Sequence, residues 1–80
     1  MNQYTYEFKS KCPSNNQFID YKLVIKTNEI IFVESIVEYI SQHHQSSYHE
    51  AIADDLIKMF SGEHYMIAFH HGVLIETWRK

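Results

Sequence analysis

Two kinds of periodicity follow one another in a set order, and that order constrains the fold more than any other feature. Tyr4, Tyr6 and Phe8 alternate with Thr5, Glu7 and Lys9, the period-two pattern of a strand rich in aromatics. Cys12-Pro13-Ser14-Asn15-Asn16 is turn chemistry: proline fixes φ, and serine and asparagine accept local turn bonds. Ile19, Tyr21, Leu23 and Ile25 then alternate with Asp20, Lys22 and Lys26, a second strand antiparallel to the first. Thr27-Asn28-Glu29 breaks it, and the period changes. Val33, Ile36, Val37 and Ile40 share one helical face and predict a helix from about Val33 to Gln42. His43-His44-Gln45 is a polar connection. Ser47 precedes Glu50 by three positions, the capping-box signature of a helix start. Tyr48, Ile52, Leu56 and Met59 form the buried stripe of this second helix, which Ser61-Gly62 ends. Alternation returns with Tyr65, Ile67 and Phe69 against Met66 and Ala68. His70-His71-Gly72 is a tight turn, and Val73, Ile75 and Thr77 alternate with Leu74, Glu76 and Trp78 in a fourth strand.

The order β-β-α-α-β-β predicts one α+β domain over residues 1–80: a four-stranded antiparallel sheet with both helices on one face. Such a short chain buries a modest share of its surface, and its aromatic residues compensate with large buried areas. The outer strands are left with unpaired edges, so a homo-oligomer formed through those edges is expected. No internal repeat or low-complexity tract interrupts the pattern.

Seven basic against ten acidic residues give a net charge of -3, which argues against a nonspecific electrostatic footprint for nucleic acid. Small molecules and protein partners remain. Six histidines make the surface charge sensitive to mildly acidic pH. One cysteine cannot form an intrachain disulfide, which fits a reducing compartment. Met1-Asn2-Gln3-Tyr4 lacks a basic segment leading into an apolar run, and no stretch has the length of a membrane span. The expectation is a soluble cytoplasmic protein with no membrane partner.

Cys12 carries two readings. An isolated cysteine is more often an inert buried thiol. A turn position beside proline and polar residues is less suited to burial and favours a nucleophile. A thiolate nucleophile needs an acid to protonate what it attacks and an anchor for the substrate, jobs that Asp, His and Glu perform. Asp20 by itself reads as an exposed residue on the polar face of its strand. Glu50 is accounted for by the capping box, and His49 by a solvent-facing place in the first turn. Both also sit at a helix N-terminus, whose positive end favours Glu50 as a carboxylate and suits a polar substrate. His43-His44 and His70-His71 are adjacent pairs whose members point apart in regular structure. With no His-x-x-x-His or Cys-x-x-Cys, no metal is expected.

Four segments carry a likeness to a known family: Glu7-Phe8-Lys9-Ser10-Lys11-Cys12-Pro13, Gln17-Phe18-Ile19-Asp20, Val33-Glu34-Ser35, and Tyr48-His49-Glu50 with Ala53-Asp54-Asp55-Leu56 behind it. In order and spacing, from about Glu7 to Ile75, they resemble the tunnelling-fold enzymes. Among these they look most like the 7-cyano-7-deazaguanine (preQ0) nitrile reductases and the archaeal preQ0-tRNA amidinotransferases. The resemblance implies a tunnelling fold and a covalent thioimide mechanism. It makes Cys12 the nucleophile, Asp20 the general acid and His49 a second proton donor. Glu50 holds the guanine-like edge, Tyr48 stacks near the ring, and Glu34 joins the substrate-binding set. Two outcomes are implied: NADPH-dependent reduction of the free base, as in queuosine biosynthesis, or ammonia attack on preQ0-bearing tRNA, as in archaeosine formation. The chain departs from the reductases where their Glu-Ser opening continues with lysine and serine tied to the nicotinamide cofactor; here Ile36-Val37-Glu38 follow. Their Arg-Gly-Gly turn is His70-His71-Gly72-Val73 here, and their aromatic-arginine pair is His43-His44. The NADPH motif is therefore poorly matched, a trait shared with the amidinotransferases. Two other readings stand beside these: a catalytically degenerate tunnelling-fold binding protein, and a pterin-type enzyme with a metal.

Overall fold

The computed structural model describes residues 1–80 and has the predicted order of elements. Strands β1 (Asn2–Lys11) and β2 (Phe18–Thr27) are followed by helices α1 (Val33–His43) and α2 (His49–Met59), then by β3 (Glu63–His70) and β4 (Val73–Arg79). The sheet order is β1-β2-β3-β4, antiparallel throughout. Both helices thus lie in the single connection between two adjacent strands. No helix is long and apolar enough to cross a membrane.

The core occupies one face of the sheet. Ile19, Tyr21, Leu23 and Ile25 of β2 are buried there, as their alternation predicts. Ile36 and Ile40 of α1, and Ile52, Ala53 and Leu56 of α2, cover them. The β1 aromatics share this face: Tyr6 stacks on Phe8, and Phe8 on Tyr21.

In β3 the inward set is His64, Met66 and Ala68, while Phe69 is exposed. Register decides this. Ala68 pairs with Tyr21 and Met66 with Leu23, and residues directly opposite share a face, so the buried parity of β2 is imposed on β3. In β4 Thr77 turns inward, and Leu74 and Trp78 turn out. The face away from the helices therefore carries Phe18, Phe69, Leu74 and Trp78, with Tyr65 stacked on Trp78.

The helix stripes are narrower than their periodicity suggests. Val33 and Val37 of α1 are exposed, as are Tyr48 and Met59 at the two ends of α2. In α1 the positions that reach the core are Ile36 and Ile40, one turn apart, and Val33 and Val37 fall outside that line. The capping box does not form. Tyr48 is the N-cap of α2 and makes no side-chain cap bond. Ser47 instead contacts His44 Nδ1 through its hydroxyl at 3.1 Å, and Glu50 accepts from Arg79 at 2.6 Å.

Gly62 is not the helix cap either, because Phe60 already ends α2 in an extended conformation. Its φ of 111° and its closeness to β2 explain it: a Cβ there would lie 2.3 Å from the Lys26 carbonyl oxygen. Strain and clash act together. Gly62→Ala is expected to lower stability by about 2 kcal/mol or more, measured as a shift in the denaturant midpoint. Gly72→Ala meets no such atoms and costs only its positive φ. That turn is a two-residue hairpin, His71 (φ 53°) and Gly72 (φ 78°), with the positive φ values that match strand twist.

Candidate functional site

The connection between the helices is tied to the end of β1. Lys11 N–H donates to the Gln45 carbonyl at 2.8 Å, and Ser47 N–H to Ser10 Oγ at 3.2 Å. These bonds bring the first residues of α2 beside Cys12. The β1–β2 turn is itself closed by Cys12 N–H to the Gln17 carbonyl and Asn16 N–H to the Cys12 carbonyl, both at 2.8 Å. Asn16 takes the left-handed conformation this requires, φ 61°. Asn15 Nδ2 meets His71 Nε2 at 3.0 Å, joining this turn to the β3–β4 turn. The result is a cavity of about 290 Å³ lined by Cys12, Ser14, Tyr21, Tyr48, His49, Glu50 and His70, among others.

Cys12 is buried, at 5% exposure, despite its turn position. Cys12 belongs to the core cluster and also lines the cavity, with the Ser14 side chain against its sulfur. Ser14 Oγ lies 3.3 Å from Sγ. As donor to the thiolate, this hydroxyl holds the Cys12 pKa below its ordinary value, aided by the Ser14 and Asn15 backbone and opposed by burial. Tyr21, on the same wall, is pushed up to about 12 by burial, with the Cys12 charge adding to it. It therefore stays a neutral phenol.

His49 reaches inward from α2. Its Nε2 is hydrogen-bonded to Thr77 Oγ1, its ring packs 5.5 Å from that of Tyr21, and its Nδ1 is buried without a partner. Burial holds its pKa below the ordinary value; Glu50 opposes this and Arg79 adds to it. Glu50 lies at the rim, 72% exposed, in an ion pair with Arg79, which also binds Asp54 at 2.9 Å. Tyr48 is exposed at the same rim.

Asp20 and Glu34 are not brought to this cavity. Asp20 lies on the opposite face of the sheet, 3.7 Å from Lys9 Nζ and 82% exposed. Period two dictates this: Ile19 and Tyr21 take the inward positions, so the residue between them must point away. The general-acid role expected of Asp20 has no geometric basis within one chain. Glu34 is exposed in the first turn of α1.

Several residues here have no local sequence signal. His44 is buried and meets Asp55 Oδ2 at 2.6 Å, and Tyr39 donates to the same oxygen at 2.6 Å. Burial pushes the Asp55 carboxyl up, but these bonds and the nearby histidines outweigh it and hold the group below its usual value. Ser47 completes the chain, which fixes the connection between the helices. His70 shares the parity of Met66 and Ala68, but that this parity faces inward is decided by the pairing of β3 with β2 and not by the sequence of β3. No three His, Cys, Asp or Glu side chains are grouped so as to hold a metal ion.

Burial of neutral histidines makes stability depend on pH. His64 is buried and donates Nε2–H to the Phe60 carbonyl at 2.9 Å; burial lowers its pKa from 6.5, and that bond opposes the change. His49 is depressed in the same sense. The unfolded state then binds protons first, so stability present above the unfolded value is lost as pH falls toward the folded ones. Thermal midpoints are expected to drop between about pH 7.5 and 5, with a shallower slope in His64→Gln.

No family model, no curated protein and no solved structure matches this chain.

Proposed function

We propose that this chain is a tunnelling-fold protein that captures the nitrile of a 7-cyano-7-deazaguanine as a Cys12 thioimide. The observation that carries this reading is the meeting of Cys12, Tyr48, His49 and Glu50, distant in sequence, around one cavity. The chemistry fits the residues. A nitrile carbon is a soft electrophile, and a thiol held below its ordinary pKa supplies thiolate readily. A rim carboxylate accepts two N–H bonds from a guanine-type edge. For Glu50 this means sharing its charge with Arg79 or releasing it. The cavity volume is near the lower end for small-molecule sites, roughly 300 Å³, which suits a bicyclic base.

The thioimide is then reduced by NADPH to an aminomethyl base, in the manner of a cytoplasmic queuosine-pathway enzyme, or attacked by ammonia to give an amidine on tRNA. Reduction is the first reading. The open edges of β1 and β4 are the surfaces for homo-oligomer assembly. Incubation with the free nitrile followed by intact mass spectrometry tests the capture step: an increment equal to the mass of the base supports it, and an unmodified, folded protein overturns it. Oxidation of NADPH in the same mixture decides between reduction and amidine formation. The position of Asp20 on the open face favours a second reading, a binding protein of the same fold that holds the base without reacting. In that case calorimetry registers binding and the mass stays unchanged.

A further inference from the structure

We infer that His70 is the catalytic proton donor of the Cys12 centre, in the role that the family resemblance implied for Asp20. This rests on the reading that Cys12 adds to a nitrile. His70 is the last residue of β3 and shares its inward parity with Met66 and Ala68. It lines the same cavity as Cys12. Its Nε2 is buried and has no hydrogen-bond partner. Buried polar groups are nearly always paired, so an orphan on a cavity wall marks a place where a ligand atom completes the bonding. The ring is held from outside: it packs 4.3 Å from the His71 ring, and His71 is bonded to Asn15 of the cysteine turn.

The thiol and the imidazole are not bonded to each other: the side-chain hydrogen bond of Sγ is to Ser14. What the two share is the cavity of about 290 Å³ whose wall both line, the space in which a reacting group would meet them. His49 lines the same cavity and its buried Nδ1 also lacks a partner, but its Nε2 is committed to Thr77, which fixes its ring from β4, whereas neither ring nitrogen of His70 is so tied.

The step balances without a co-reactant. Sulfur forms a bond to the nitrile carbon, one carbon–nitrogen π bond breaks, and its electron pair moves to nitrogen. Nitrogen takes the proton from His70 Nε2, which recovers the proton that the thiol released. The sum is thiol plus nitrile giving thioimide.

The test compares wild type, His70→Gln and His70→Ala in three reactions followed by mass spectrometry: capture of 7-cyano-7-deazaguanine, capture of 2-cyanopyrimidine, and alkylation by iodoacetamide. The first two require protonation of nitrogen, and the third expels iodide and does not. His70→Gln is expected to slow nitrile capture on the order of 100-fold and to leave alkylation unchanged, with added imidazole restoring capture in His70→Ala. Nitrile capture at the wild-type rate in His70→Gln overturns the assignment. Equal slowing of all three reactions also overturns it, because His70 then only supports the cavity. If wild type captures 2-cyanopyrimidine alone, and His70→Gln slows that capture, the deazaguanine substrate is wrong and the role of His70 stands. If wild type captures neither nitrile, both readings fall.

Discussion

Cys12→Ala is expected to abolish the mass increment that the nitrile base leaves on the wild-type chain, and every later turnover with it. The effect is complete because no other thiol exists in the chain. The variant should fold. Removing one sulfur from a wall that already borders a cavity leaves the backbone bonds of Cys12 to Gln17 and Asn16 intact. Cys12→Ser is the sharper comparison: it keeps a polar atom beside Ser14 but replaces a soft thiolate by a hydroxyl that is not ionised at neutral pH. Both variants should retain the far-ultraviolet dichroism of the wild type. If Cys12→Ala still gains the mass of the base, the covalent bond lies elsewhere and the proposed centre is wrong.

Leu56→Ala should take away a large part of the stability of the chain, read as a marked fall in its denaturant and thermal midpoints. Leu56 is fully buried at the centre of α2, in the cluster with Ile52, Leu23 and Met66. Truncating such a leucine costs about 2–5 kcal/mol, the lost transfer energy plus the residual cavity. A chain of 80 residues has roughly 4–12 kcal/mol in total at the usual stability per residue. The loss is therefore a large part of what holds the fold. Met59→Ala lies on the same predicted stripe but is 50% exposed, and should shift the midpoint little. Equal losses at the two positions would mean that α2 buries the whole stripe and is rotated from the face described.

Alternation made the strands legible because a half-buried strand repeats every two residues, and β2 is buried as its apolar positions required. For β3 the same rule was ambiguous. Both of its faces carry apolar side chains, and Tyr65, Ile67 and Phe69 outweigh Met66 and Ala68 in bulk. Pairing with β2 settled the choice and turned the smaller set inward. That choice also put His70 on the cavity wall, so one ambiguity concealed both part of the core and part of the candidate site. The capping box failed for a related reason. Ser47 and Glu50 have the right spacing, but the hydroxyl is taken by His44 and the carboxylate by Arg79, partners that local spacing does not specify.

The order of the six elements, the solitary thiol and the turn that holds it were determined by sequence, because each depends on residues within a few positions of one another. Tertiary structure decided which groups share a cavity with that thiol. Three bonds between distant segments, Lys11 to Gln45, Ser47 to Ser10 and Asn15 to His71, draw the start of α2 and the end of β3 around Cys12. The strict two-residue period of β2 sends Asp20 to the opposite face. A carboxylate eight positions from a cysteine is close along the chain, yet a pleated strand can place it on the wrong side of the sheet, whereas a histidine far along the chain reaches the right one through register alone.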